Sequence, residues 1–492
     1  MITVRDLLER TGPSLSSDLV SLLVKQEHIN REAARKRVSR SAGLIKKLKG
    51  LRLPNREDFL YLEDQFGGLE FTVNLTEALR KSGSSLWRAL SGIIARGGAV
   101  KQQYFPIASG LPIHFTRGQL LHSYAEESLL RFRIIEIKQF PEGEFVGLRG
   151  LTQPSNRRKA VLIVESVILS SLKTWLTKVG FSSYKATQIR DNIIPSFGPF
   201  NWDLVGPSYL TGLVDWKRGK IRNGFIVGDI ILDRNITSED ILPFLAKCGV
   251  IINQKRHRPF IPLFIADSFE ESALKTLRKK GVLLARPETF FGTEAAANLT
   301  RLVGTIENAA AAVTKSPEEV FKLLESVGKI EGSSLNLRGI ALDFFIAHLY
   351  SLKGYRIDFR KPIFSRTYGP TDIDVKADNS EEVVCVESKG LMPGNLLNSD
   401  EIKTWLSEKL PKIKDWLKDA DTLPNKKRFE FSVSTDYTEE AKKFIRELKG
   451  KHIHQPITFS NGSDIISRLQ ALKQSSLIRV FKDIFVNNPI SP

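Results

Sequence analysis

The sequence predicts a multidomain chain: a small basic α+β unit, a second stretch of similar pattern, and two α/β units built on one plan. Three observations carry this. The 492 residues suffice for about two to four domains with sizeable cores. Short helical patterns and strand-like runs alternate over the first 150 residues. Further on, Phe197-Gly-Pro-Phe-Asn-Trp-Asp-Leu204 lines up without a gap on Tyr368-Gly-Pro-Thr-Asp-Ile-Asp-Val375.

The first unit spans residues 1–70. Helical patterns cover Val4–Glu9 and Ser17–Lys25, and Asn30 is placed to cap a third helix over Arg31–Arg40. That helix is strongly basic through Arg31, Arg35, Lys36, Arg37 and Arg40. Ile45–Leu53, with Lys46 and Lys47, and Phe59–Leu62 read as two strands. Three helices and a two-stranded flap resemble a winged helix. The resemblance implies a basic helix in the major groove and a wing on phosphate. Protein contact is the competing use of such a module.

Residues 71–155 read as a second winged helix, with helices at Leu75–Lys81 and Leu86–Ala95, a strand at Val100–Phe105 and a turn at Ala108–Gly110. Thr152–Lys159 reads as a polar linker.

The repeat then sets two α/β units, residues 160–300 and 330–492, joined by a helical linker at 301–329. Each copy opens with a helix ending in Gly-aromatic, at Gly180-Phe181 and Gly354-Tyr355. Each continues through an apolar strand, Phe260–Ile265 or Phe429–Val433, into an Asp/Ser/Thr turn and a helix. In the second copy Thr371–Lys376 carries Asp372 and Asp374. The β-branched run Val383–Val386 leads into Glu387-Ser388-Lys389. Alternation puts Glu387 and Lys389 on one side of their strand and Asp372 and Asp374 on one side of theirs. Carboxylates at the end of an apolar sheet are unfavourable unless a cation offsets them. Other Glu-x-Lys triplets, at Glu401–Lys403 and Glu440–Lys442, lie in helical stretches.

The order helix with Asp343, strand, strand with Asp374, strand with Glu387-x-Lys389, helix, strand resembles the PD-(D/E)xK, or restriction-endonuclease-like, nuclease superfamily. The fold class expected is therefore a winged helix followed by two tandem restriction-endonuclease-like folds. The resemblance implies a metal-dependent DNA endonuclease of restriction or antiviral defence, transposition or repair. It gives Asp374 and Glu387 as ligands of Mg²⁺, with Mn²⁺ as a substitute, joined by the Ser388 carbonyl and Asp372. Lys389 would orient or deprotonate the attacking water, and Asp343 would reach the site from its helix. In the first copy Asp203 matches Asp374 and Asp229 falls near Glu387's place, but Ile231 takes the lysine position. That copy is expected to be inactive.

The bulk properties agree with a polyanionic partner. Net charge is +18, and residues 1–50 hold eleven Lys or Arg against five Asp or Glu. Two cysteines give neither a disulfide framework nor a zinc spacing, which points to a reducing, cytoplasmic setting. No membrane-spanning stretch and no signal peptide are expected. No Gly-x-x-x-x-Gly-Lys-Ser/Thr loop occurs, so no ATP motor is encoded here. His452 and His454 lack companions at metal spacing. The expected partners are DNA and, for a double-strand cut, a second copy or a partner protein of a defence or recombination system. The rival reading is a non-catalytic DNA-binding or scaffold protein.

Overall fold

The computed structural model describes residues 2–487, apart from 42, 52, 54–56, 184, 192, 218–219, 255–256, 329–334, 421–422, 425 and 451–455. His452 and His454 therefore lie outside the described residues. The chain is a multidomain α/β protein.

At the N-terminus, helices Val4–Thr11, Ser16–Glu27 and Arg31–Ser39 pack on a three-stranded antiparallel sheet. Strand Phe59–Leu62 runs between Ser14–Leu15 and Ile45–Lys47. Thr3 accepts from the Asp6 amide at 3.1 Å and Asn30 from the Ala33 amide at 2.8 Å, so both helix starts are capped by side chains. Arg31, Arg35, Lys36, Arg40, Lys46 and Lys47 are exposed. Arg37 departs from that expectation. It follows the buried Ala34 by three residues and so shares the inward side of its helix, where it pairs with Glu27 and reaches the Ile2 carbonyl.

Residues 69–148 form helices Leu69–Lys81, Ser85–Ala95 and His122–Arg131 with an antiparallel sheet of Ala99–Lys101, Ile135–Phe140 and Gly143–Leu148. The strand expected over Val100–Phe105 stops at Lys101. Gln102–Tyr104 turns into a short helix, Phe105–Ser109, whose Pro106 presets a helical φ in the first turn. The polar stretch Thr152–Lys159 is likewise only half a linker. Ser155 caps the helix Asn156–Lys178 by accepting from the Arg158 amide at 3.1 Å.

Two five-stranded sheets of one topology follow. The first has the order 188–189, 204–208, 224–230, 260–265, 283–285, and the second 356–365, 369–378, 382–389, 426–433, 457–460. In each, the first three strands are antiparallel and the last two pairings are parallel, with a helix crossing between strands three and four. Each unit also carries a two-residue parallel ribbon, 235–236 with 268–269 and 396–397 with 436–437.

Residues 301–328, within the expected helical linker, are helical and packed. Helices Thr293–Glu307, Ala309–Lys315 and Pro317–Gly328 send Leu302, Val313, Phe321 and Leu324 into one core. That core also contains Val164 and Ile168 of the first unit and Phe344 and Phe345 of the second. Their apolar stripes find cover only between the two units. The helix Asn156–Lys178 is long and apolar enough, by length and composition, to cross a bilayer, contrary to the expectation of none. It is apolar because it lies in this core, and it carries the fully buried, ion-paired Glu165.

Candidate active site

The acid strand Gly369–Asp378 and the Glu-x-Lys strand Glu382–Lys389 pair from Asp378↔Val383 to Val375↔Val386, where the ladder ends. Asp374 and Glu387 are the next residues on each side. The Ser388 amide, which has left that ladder, donates instead to Asp374 Oδ2 at 2.8 Å. The Ser388 hydroxyl points to the other side of the strand and donates to Asp343 on the helix Leu335–Ser351. Gly390 follows directly. A Cβ there would lie 2.3 Å from the Arg338 carbonyl group, so only glycine lets the strand end pass this helix.

Four of the expected residues thus meet at one sheet end: Asp343, Asp374, Glu387 and Ser388. Lys389 Nζ stands 2.9 Å from Glu387 Oε1. Burial works against this ammonium, but Glu387 and Asp374 together hold its pKa above the ordinary lysine value. Burial, then Glu387 and Asp343, push the Asp374 carboxyl well above its ordinary range. Asp343 is also raised, mainly by burial, although Arg360 opposes it from 2.9 Å. Asp372 lies at the rim and joins the others through a lysine.

That lysine, Lys409, was not among the expected residues. Its Nζ lies 3.0 and 3.2 Å from the two Glu387 oxygens and 3.1 Å from Asp372 Oδ1. It closes a π-helical turn, Trp405–Lys409, set between Ser399–Thr404 and Leu410–Lys418. Such turns often mark functional positions in helices. Arg360 was also missed. It has a left-handed backbone, φ 45°, opposite Asp374 in the neighbouring strand. The repeat held a signal for it, since Arg190 precedes Asp203 by 13 residues as Arg360 precedes Asp374 by 14.

The first unit repeats the plan and closes it. Leu204 pairs with Gly228, so Asp203 comes opposite Asp229, matching Asp374 and Glu387. Ile231 holds the lysine position, but Lys247 reaches Asp229 at 2.6 Å from the crossing helix Leu242–Ile252. Lys247 is 0 % exposed, whereas the Lys409 side chain is 32 % exposed. Asp203 is held by Arg190 at 2.8 Å and by Arg96, from residues 69–148, at 3.1 Å. Burial alone would raise its carboxyl, but Arg190 and Arg96 hold it below the usual range. Glu165, the helix acid, is bonded to Arg190 and Arg158. Each of these carboxylates, Glu165, Asp203 and Asp229, is buried and paired.

In the second unit one of these acids, Asp372, borders open space. A cleft of about 440 Å³ runs past Asp372, Arg360 and Lys361, with Lys159 and Asn308 on its far side. Among the described residues, no group of three or more His, Cys, Asp or Glu stands in a metal-holding arrangement. Lys409 and Lys389 occupy Glu387, and Arg360 and Ser388 occupy Asp343. Asp374 accepts from the Ser388 amide, and an ion held between Asp374 and Glu387 would have to displace a lysine from Glu387.

No protein-family model matches the chain, and no curated protein matches it. Among solved structures it is similar to a protein of unknown function, AF1548, at 15% identity and a TM-score of 0.20, over 29% of this chain and 78% of that one. It is also similar to the restriction endonuclease FokI bound to DNA, at 12% identity and a TM-score of 0.21, over 94% of this chain and 83% of that one. Scores of this size leave the site to stand on its own geometry.

Proposed function

We propose that the chain is a metal-dependent DNA endonuclease of the PD-(D/E)xK type, with its active centre in residues 330–492 and a closed, inactive copy in 160–300. The observation that supports this best is the meeting of Asp374, Glu387 and Lys389 at the point where two strands part, with Asp372 of the same strand lining a cleft.

The donor set fits a hard divalent cation. The half-buried Asp374 and the buried Glu387 carboxylates repel one another, and Mg²⁺ is commonly held by one or two carboxylates, waters and substrate phosphate. Asp374 and Glu387 would hold it, with Asp372 and the Ser388 carbonyl beside them. When bound, the ion would supply charge for the phosphate and activate water. The chain's own groups do the rest. Lys389, as an ammonium, orients water and supports negative charge developing on the phosphate. Ser388 fixes Asp374 through its amide, and Arg360 fixes Asp343. The exposed Arg31, Arg35, Lys36, Arg40, Lys46 and Lys47 form the DNA contact of a winged helix.

The test is incubation of supercoiled plasmid with the protein and Mg²⁺ or Mn²⁺. Nicking by the parent, lost in Glu387→Ala and Lys389→Ala, is the expected result. One observation favours a second reading, a non-catalytic DNA-binding scaffold. The carboxylates of Glu387, Asp343 and Asp372 already have cationic partners. Equal silence of the parent and both variants, with or without partner proteins, selects that reading.

A further inference from the structure

The hairpin that carries Asp372 ends in a tip with two aromatic rings in solvent. Phe364 is 64 % exposed and Tyr368 is 56 % exposed, and Arg366 lies between them. Single exposed apolar residues need no explanation. This pair differs because the backbone beneath it is tightly held. Ser365 is fully buried and donates to Asp415 at 2.7 Å, the Thr367 amide donates to the same carboxylate at 3.2 Å, and the Tyr368 amide donates to Ser365 at 2.9 Å. Lys412 donates to the Pro370 carbonyl at 3.2 Å, and Gly369 takes the left-handed φ of 81° that the tight turn needs. A rigid support thus holds two rings away from every core. The first unit treats its equivalent differently. Phe197, which aligns with Tyr368, is 8 % exposed and packs on Phe225 and Phe260.

The tip is continuous with the candidate site. Phe364 lies two residues along its strand from Pro362, which pairs with Asp372, so Phe364, Pro362 and Asp372 share the open side of the hairpin. Two residues of strand span roughly 7 Å, or about two stacked base steps at ~3.4 Å each. Cations near the tip in sequence or on its bracing helix are Arg366, which pairs with Asp419 at 3.2 Å, Lys361, which pairs with Asp358 at 2.7 Å, and Lys412 and Lys418.

We propose that Phe364 and Tyr368 form a base-stacking contact that takes one or two unpaired or unstacked bases of a nucleic-acid strand, next to the phosphate lying at Asp372 and Asp374. The assignment deepens the nuclease reading and rests on it for the position of that phosphate. Aromatic rings stack on any base, so the contact is insensitive to sequence and favours single-stranded or distorted DNA.

The test uses the full chain in EDTA, so that binding is read without cleavage. Anisotropy of labelled single-stranded and duplex oligonucleotides gives affinity, and quenching of 2-aminopurine in the strand reports stacking. Phe364→Ala with Tyr368→Ala is expected to weaken single-strand binding by at least about tenfold, at roughly five- to a hundredfold per ring. It should also abolish the quench and leave both the salt slope and the melting temperature unchanged. Phe364→Tyr with Tyr368→Phe should bind like the parent. Binding by the alanine variant within twofold of the parent, with the quench intact, overturns the proposal. So does loss of a dimer on sedimentation with DNA affinity unchanged, which would make a second copy the occupant. The nicking assay separates the two readings. A parent that stacks bases but never nicks removes the nuclease and leaves the stacking contact. A parent that nicks while the alanine variant binds equally removes the stacking contact alone. A parent that binds neither DNA removes both.

Discussion

At the residue scale the site is a contest between cations for two carboxylates. Lys409 spans Glu387 and Asp372, and burial works against its charge, yet Asp374, Glu387 and Asp372 together hold its pKa above the ordinary lysine range. A divalent ion entering beside Glu387 must displace this ammonium. Lys409→Met should therefore tighten Mn²⁺ binding by about tenfold, roughly the effect of one like charge removed from a partly exposed site. Titration calorimetry measures it, and unchanged or weaker binding would mean that Lys409 supports the ion rather than competing with it. The sequence made part of this site legible. Asp374, Glu387 and Lys389 stand out because a two-residue period and an apolar run fix their strand and side. Lys409 could not be read the same way, since it lies 22 residues from Glu387 on a helix whose π turn sets its direction. Arg37 misled for a related reason. A run of basic residues on a helix looks uniform until Ala34 and Val38 show which side is buried.

At the element scale the two α/β units show how one strand pattern serves opposite ends. In the first, the strand pair ends in a closed chain of Arg158, Glu165, Arg190, Asp203 and Arg96. Arg96 comes from outside the unit, so the closed site also anchors residues 69–148. Arg96→Ala leaves Asp203 short of one buried cation and should destabilise the protein by about 3 kcal/mol, the lower end for breaking a buried ion pair, because Arg190 remains. Urea unfolding tests this, and a change below about 1 kcal/mol would mean that water or Arg190 covers the loss. The basic helix Arg31–Ser39 carries a separate prediction. Arg31→Ala with Arg35→Ala should weaken duplex binding and reduce the slope of log K against log salt by about one for each phosphate no longer neutralised. An unchanged slope would assign that helix to protein contact. Both helix starts and most strands of the repeat follow local rules, namely caps, turns and alternation. The short strand at Ala99–Lys101 and the early start at Asn156 do not, because Pro106 and Ser155 act one turn away from the residues they redirect.

At the scale of the whole molecule, the helices of residues 293–328 and the lead helices of both units make a single core, so the closed copy and the open copy unfold as neighbours. Such long-range assembly is not written in any one window of sequence. His348 lies in this core against Phe321, and burial pushes its pKa below the ordinary histidine value. A depressed histidine favours the folded state while neutral. The stability it supports is present above the unfolded value near pH 6.5 and is lost as pH falls through the folded value. The melting temperature should therefore drop between about pH 7 and pH 5, and His348→Phe should flatten that drop. An equal slope in both proteins would place the acid sensitivity elsewhere. The core holds the site steady, and the cleft beside Asp372 lies where the two units and the hairpin of residues 140–143 come together. The enzyme assignment meets its sharpest test in the conversion of supercoiled plasmid to open circles in Mg²⁺ or Mn²⁺ by the parent, Glu387→Ala and Lys389→Ala proteins. Nicking should need the metal and fall by about a hundredfold or more in each variant. Nicking that survives both substitutions, or a parent as silent as its variants, would refute the assignment.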